Sequence, residues 1–369
     1  MRYSRFLLTA LVCLSFVTAG AGAATPDIDV VSQARQDLLA ALAKRPQDPV
    51  VAVIALNDGT ETTDFLVPYG VLKRAGIGQV EAVAVDAGDV TLMPALRIVP
   101  DTTLAAFDAR HPRGADIVIV PAMHVDDDPR VLRWLQRQAA NGALIVGICS
   151  GAKVLSQAGL LREKRFTGHW YDRDDLRKAN PTARYVPDVR YLYDDGIVTT
   201  TGVSASLPLS LALVEGIAGQ ERAADVAHSL GVTDWSARHA SAGFRLDASR
   251  LWTVASHWLA FWRHETLAIP VSDGVDDVSL ALVSDAWSRT WRSEAIATHE
   301  GTRTVTMASG LRLVPQTDTS VTPARTIALA SHTSATANFT AALTDIAQRY
   351  GRSTRDIVAL SLEYPDGLR

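Results

Sequence analysis

Apolar runs too short for helices alternate with stretches of helical periodicity through the first two thirds of the chain. Residues 49–56, 80–85, 95–99, 116–120 and 144–148 are nearly continuous in Val, Ile, Leu and Ala. Strands buried on both faces of a parallel sheet read this way. Residues 65–75, closed by Gly76, and 129–140, with Pro129 in the first turn, carry apolar positions at helical spacing. Strands alternating with helices of this length predict βαβ units with right-handed crossovers. Shorter strands are predicted at 166–170, 184–186, 189–193 and 197–200, the last two joined by an Asp194-Asp195-Gly196 hairpin turn. Helices are predicted near 172–178, 207–217 and 221–230. An amphipathic helix at 27–45, ended by Pro46 and Pro49, fills most of a leader segment (24–47). The fold class is α/β: a doubly wound, mostly parallel, flavodoxin-like sheet over 48–232.

Within that domain, Cys149 stands where the apolar run 144–148 gives way to Ser150, Gly151 and Ala152 and then to a helical pattern (Val154, Leu155, Ala158). A strand turning sharply into a helix with a nucleophile at the corner is an elbow, and it aims the first helical amides at whatever the nucleophile attacks. Those amides and the helix dipole are expected to favour thiolate over thiol. In such sheets ligands sit beyond the carboxyl ends of the strands. The loops at 58–64, 121–128 and 149–151 all follow strands, so topology gathers them on one rim.

Past residue 232 the chain changes. A connecting segment (233–266) carries Trp252, Trp258, Phe261 and Trp262 at helical spacing, read as core. The sequence then repeats itself without a gap at a shift of 215 (273 − 58). Asp58-Gly59 matches Asp273-Gly274, and Arg74 matches Arg289. Leu96-Arg97-x-Val99-Pro100 matches Leu311-Arg312-x-Val314-Pro315, and Thr102 matches Thr317. Self-similarity held in one register implies a truncated second copy of the first half of the fold over 267–369. Its later elements are expected as a strand at 326–330, a helix at 338–350 and a last strand at 356–362. Ser279 stands at the position of Asp64 and no cysteine follows, so the copy cannot host the same chemistry. A half sheet needs cover, so it is expected to pack on the first domain.

Composition narrows the class. Of 369 residues 47% are hydrophobic and 21% charged, which suits a globular protein, and the net charge of −4 offers no basic footprint for nucleic acid. Residues 1–23 read as a signal peptide: Arg2 and Arg5, an apolar core at 6–17, and the small-residue site Ala21-Gly22-Ala23. A periplasmic or secreted protein without a stable membrane span follows, or an anchored one if the segment stays uncleaved. Cys13 lies in that segment, so Cys149 is the only thiol of a mature chain. A free thiol in an oxidising compartment needs a reason. Reactivity is one, and an inert buried cysteine is the alternative.

The first domain resembles the ThiJ/PfpI superfamily, with its class I glutamine-amidotransferase-like fold, and within it the branch of isonitrile hydratases and of the sensor domains of AraC-type regulators. The resemblance rests on Asp64-Phe-Leu-Val-Pro68, Cys149-Ser-Gly-Ala, Ala158-Gly-Leu-Leu161, Thr167-Gly-His-Trp170 and Thr201-Gly-Val-Ser-Ala205. It implies Cys149 as nucleophile, Asp64 as its acidic partner and Ser150 as the hydroxyl that follows it. The chain departs from the pattern where relatives carry Pro-Gly-Gly: here Pro121-Ala122-Met123 stand, which alters the loop whose amides hold developing charge. The His-x-Glu of true amidotransferases and the regulators' helix-turn-helix are absent. Relatives often dimerise, so a homodimer and an internal pseudo-dimer both fit.

The candidate site is therefore Cys149, Asp64 and Ser150, with Ala122, Met123, His124 and His169 as binding positions. Asp64 has a plain alternative as a helix N-cap, His124 as a surface histidine, and His169 as a packing partner of Trp170. Glu61 is read as a solvated loop charge. No histidine stands at metal-ligand spacing and no phosphate loop is visible, so neither metal nor cofactor is expected. Three functions fit. One is a cysteine-dependent hydrolase or hydratase for a small electrophile such as an isonitrile, amide or carbonyl. Another is a non-catalytic binding or redox-sensing module. The last is a regulator-type sensor domain.

Overall fold

The computed structural model describes residues 28–259, 261–301, 304–316 and 322–365. The signal-peptide segment, Cys13 and Thr317, the counterpart of Thr102, lie outside them. Helix α1 (Ile28–Leu42) precedes strand β1 (Val50–Ala55). Strand β2 (Asp58–Glu61) runs directly into α2 (Thr62–Ala75), and β3 (Gln79–Ala84), β4 (Val90–Met93), β5 (Leu96–Val99), β6 (Thr102–Thr103), α3 (Leu104–Arg110) and β7 (Ile117–Val120) follow. Next come α4 (Pro129–Ala140), β8 (Leu144–Gly147), α5 (Gly151–Gln157), β9 (Arg165–Phe166), α6 (Arg173–Ala179) and β10 (Arg184–Tyr185). The hairpin β11 (Tyr191–Asp194) and β12 (Ile197–Thr200) and helices α7 (Ser206–Ala218) and α8 (Gln220–Leu230) close the domain.

Seven strands form the main sheet in the order β11-β12-β8-β7-β1-β3-β6, parallel except for the β11–β12 hairpin. Wholly buried apolar runs sit at its centre: every residue of β7 and β8 is buried. The positive φ of Asp195 and Gly196 makes the predicted turn between β11 and β12. Gly76, at φ 64, ends α2 as the sequence requires, its N–H reaching the carbonyls of Leu72 and Lys73. One core fills the face covered by α1, α2 and α7; a second lies under α4 and α5. The strand predicted at 166–170 shrinks to β9, since Thr167 onward turns away to hydrogen bond with Thr199 and Val189.

After α9 (Ala248–Leu259) the fold begins again with β13 (Glu265–Pro270), α10 (Asp277–Ser288), β14 (Ser293–Thr298), β15 (Val305–Thr306), β16 (Arg312–Leu313), β17 (Arg325–Thr326), α11 (Ala335–Tyr350) and α12 (Arg352–Ser361). Strand β13 pairs in parallel with β14 and β17, as β1 does with β3 and β7. This is the truncated second copy. Its end corrects the sequence: residues 352–361 form a helix rather than a strand at 356–362. Ile357, Val358 and Leu360 are buried at helical spacing there. The aromatic segment also departs from expectation, since Trp252 and Trp262 are 72% and 71% exposed.

The copies meet about a local two-fold axis. Strands β15-β16-β5-β4-β2 form one five-stranded sheet shared between them. In it Leu313 pairs antiparallel with Ile98, its own counterpart at the shift of 215, and Arg312 pairs with Val99. Helix α10 packs on its counterpart α2, closely enough that a Cβ on Gly70 would lie 3.2 Å from Asp277 Cβ.

Candidate active site

The elbow is built as its sequence demands. Cys149 has φ 54, a left-handed conformation that costs a non-glycine residue strain. Gly151 makes the turn possible: a Cβ there would sit 2.1 Å from the Val120 carbonyl oxygen. The Gly151 N–H reaches back to the Ile148 carbonyl at 2.7 Å, and the Cys149 N–H donates to Thr200 Oγ1 at 3.0 Å. Strands β7, β8 and β12 thus fix the corner from beneath.

Around the thiol the structure gathers a carboxyl cluster. Asp64 is fully buried. It sits at the third position of α2, and the N-cap is Glu61, whose Oε2 accepts from the Asp64 N–H at 2.5 Å. Asp64 is therefore not a cap, and Glu61 is not a solvated loop charge but a buried one. The Ala122 N–H donates to Asp64 Oδ2 at 3.2 Å, and the Ala122 carbonyl accepts from the Glu61 N–H at 2.8 Å. Asp64 Oδ1 is buried without a hydrogen-bond partner, so no bond joins it to Cys149. On the far side of the thiol, Ser150 Oγ lies 3.9 Å from Cys149 Sγ and donates a short hydrogen bond to Asp172 Oδ2.

These contacts decide the protonation states. Burial pushes the Asp64 carboxyl up to about 8, against the pull of the Ala122 N–H and the Arg289 cation. Burial also drives Glu61 well above the usual carboxylate range, helped by Asp64 and Asp285. The Cys149 thiol rises well above its ordinary value through burial first and then through Asp64, Glu61 and Asp172, with Arg289 opposing. The expected helix-dipole activation is outweighed, because burial beside three carboxyls holds the thiol up. At neutral pH the pair is a thiol beside a protonated acid.

The remaining candidates separate. Met123 is buried and bridges to Thr60. The Ala122 N–H is committed to Asp64, while the Ser150 and Met123 N–H groups have no acceptor among the described residues. His124 is exposed on the rim, its N–H bound to the Gly59 carbonyl at 2.8 Å. His169 is structural: Nδ1 accepts from the Tyr171 N–H at 3.3 Å, so Nε2 carries the proton and donates to the Ser361 carbonyl at 3.2 Å. Sequence reasoning missed Asp172, Arg289 and Asp285. Asp172 looks like a helix start and stands at the N-cap of α6, yet its side chain makes no cap bond and holds Ser150 instead. Among the described residues no group of three His, Cys, Asp or Glu side chains is arranged to hold a metal ion, and no helix is long and apolar enough to cross a membrane.

The sequence pattern of the DJ-1/PfpI family matches residues 50–216. The chain is similar to dj-1beta of Drosophila melanogaster, 28% identical over 185 residues that cover 48% of this chain and 95% of that protein. It is similar to isonitrile hydratase of Pseudomonas putida, 30% identical over 165 residues, 43% of this chain and 68% of that protein. Among solved structures, an AraC family transcriptional regulator from Pseudomonas putida shares 24% identity at a TM-score of 0.44, covering 49% of this chain and 98% of that one.

Proposed function

Since the chain belongs to the DJ-1/PfpI family, we propose that it is a cysteine-dependent hydratase or hydrolase for a small electrophile, with an isonitrile as the substrate class its protons fit best. The observation that carries this reading is the buried Asp64, whose Oδ1 has no hydrogen-bond partner, in the carboxyl cluster around the strained Cys149 elbow; burial raises both groups, which favours a proton on each near neutral pH. Amide hydrolysis asks first for a thiolate. An isonitrile asks first for a proton on its terminal carbon, and only then for a nucleophile at that carbon.

Asp64 gives its proton to the isonitrile carbon. Cys149 sulfur bonds to the same carbon, and the thiol proton returns to the Asp64 carboxylate, leaving a thioimidate. Water then adds across the C=N bond, its oxygen to carbon and a proton to nitrogen. The Ser150 N–H is the donor placed beside the charge that develops. The C–S bond breaks with its electron pair going to sulfur, which takes up the hydroxyl proton, and a formamide departs. Every atom of one isonitrile and one water is in the product.

The same unionised thiol weighs against peroxide sensing, which starts from thiolate. The charged start, apolar run and small-residue site of residues 1–23 support an exported enzyme, which cell fractionation tests directly. The test of the chemistry is turnover of simple alkyl isonitriles to formamides, followed by proton NMR. Cys149→Ala is expected to abolish it and Asp64→Asn to reduce it by about a hundredfold or more. Turnover that survives Cys149→Ala rejects the proposal.

A further inference from the structure

The second copy carries no counterpart of Cys149, yet one of its side chains reaches the carboxyl cluster around Cys149 in the first. Arg289 donates to Glu61 Oε1 at 2.6 Å and, through Nε, to Asp285 Oδ1 at 2.7 Å. Asp285 is fully buried and its other oxygen accepts from Thr63 Oγ1 at 3.0 Å. A continuous chain of bonds thus runs from Thr63 to Asp285, to Arg289, to Glu61, and on to the backbone of Asp64.

The local two-fold axis supplies an internal comparison. Shifted by 215, Arg289 is Arg74 and Glu61 is Asp276, and Arg74 does pair with Asp276. Asp276 caps α10 by accepting from the Ser279 N–H at 2.9 Å, as Glu61 caps α2. The interface is therefore isologous, with the same arginine-to-cap contact made twice. What differs is what lies behind each cap. At the Asp64 position behind Asp276 stands Ser279, with no thiol beyond it; the buried acid next to this cap, Asp277, is bonded to Ser309. Behind Glu61 stand Asp64 and Cys149. The brace is also one-sided: Asp285 holds Arg289, whereas the counterpart position beside Arg74 is Gly70.

We infer that Arg289 is a positioning residue for the Cys149 site, supplied within the chain by the second copy, which holds the Glu61 cap in place and sets a cation against the carboxyls facing the thiol. The truncated copy then completes the catalytic half, and the face that a second chain would otherwise fill is occupied internally. Around Cys149 the opposing groups are Glu61 at the end of β2, Asp64 on α2 and Asp172 ahead of α6, with Asp285 behind Arg289 on α10. Burial drives the thiol up, those first three carboxyls add to it, and Arg289 opposes them. Burial works against the Arg289 cation, but Asp285 and Glu61 outweigh it and keep it charged.

The inference rests on Cys149 being a reactive thiol, as proposed above, and the test reads alkylation rather than turnover so that the two ideas fail separately. The full chain is treated with iodoacetamide across a pH series, and labelling of the Cys149 peptide is timed by mass spectrometry. Arg289→Gln is expected to move the midpoint up by about one unit, a tenfold slower reaction at any pH below it. Arg289→Lys keeps the charge and is expected to stay close to wild type. Arg74→Gln breaks the twin contact and is expected to leave the profile where it was. Equal shifts in Arg74→Gln and Arg289→Gln, or no shift in either, overturn the inference. Should Arg289→Gln not fold, Glu61→Gln carries the test, because it keeps the cap acceptor, removes one carboxyl and leaves Arg289 held by Asp285. Its midpoint is expected to fall, and one that rises or stays refutes the assignment. A wild-type Cys149 that never alkylates overturns this inference, whereas isonitrile turnover decides the proposed function.

Discussion

The buried acid beside the thiol ties stability to pH in a direction opposite to that of most carboxylates. Unfolded, an aspartate carboxyl releases its proton near ~3.9; folded, Asp64 holds it to about 8. The folded state therefore binds this proton more tightly. Its contribution is fully present below the unfolded value, falls as pH rises, and is lost once pH passes the folded value. The loss runs at about 1.4 kcal/mol per unit between the two. From about pH 6 to pH 8 the unfolded group is ionised throughout and the folded one half titrates, so Asp64 alone removes about 2 kcal/mol. Asp64→Asn is neutral throughout and keeps an oxygen for the Ala122 N–H. Its urea-derived stability is expected to match wild type only near the unfolded carboxyl value, and to exceed it by about 3 kcal/mol near pH 6 and about 5 kcal/mol near pH 8. Glu61 remains in both proteins but interacts with Asp64, so the difference between their curves reads the Asp64 charge together with the Glu61 response to it. Parallel curves with a fixed offset would show that Asp64 is already ionised at neutral pH, and the proton-first chemistry would fall with it.

Two further outcomes test the frame that holds the site. In Gly151→Ala the new methyl meets the Val120 carbonyl oxygen, so backbone must move and the elbow opens; a loss of about 3 kcal/mol or more in urea unfolding, with Cys149 alkylation altered, is expected. Trp287→Ala empties a fully buried site on α10 and is expected to cost about 3–5 kcal/mol. Because the copies share a sheet and a core, fluorescence and circular dichroism should move together in that variant; two separated transitions would mean the copies unfold independently.

How much of this was legible depends on the range of the interaction. The parallel sheet, the Cys149 elbow and the Asp194-Asp195-Gly196 turn are written in local patterns: apolar runs, small residues at a corner, a residue pair that tolerates positive φ. The second copy was legible because its register never slipped. The electrostatics were not. Whether an elbow cysteine ionises depends on how many carboxyls burial places around it, and Glu61, Asp172 and Asp285 lie far apart in sequence and look like ordinary helix-start or helix-face acids. Glu61 was misread because an acid beside Asp64 and after Thr60 suits an exposed loop equally well. Its burial comes from α10, more than two hundred residues away. The last strand failed for a similar reason: β-branched and apolar residues at 356–362 fit either period, and packing of α12 against α9 and α11 chose the helix.

The duplication explains why a fold half without chemistry keeps so much of its partner's sequence. An isologous contact holds only if both sides present the same patch. The residues that kept their register are those at the axis: the paired Ile98 and Leu313, the strands around them, and Arg74 with Arg289. Once that patch is preserved, the rest of the second copy is free to change. Ser279 stands where Asp64 stands in the first copy, and residues Arg352–Ser361 form a helix. That end was not left idle. The Leu360 and Ser361 carbonyls receive Trp170 Nε1–H and His169, and the Glu363 carboxylate receives the Gly202 N–H and His239. Loops of the first domain on the Cys149 side of the sheet are therefore pinned by the second copy at two places, Arg289 above α2 and the 360–363 segment beside β12. A single candidate site clamped from both sides by the chain's own second copy differs from a symmetric pair of independent sites. It needs only one elbow, and it makes the rigidity of that site a property of the whole chain.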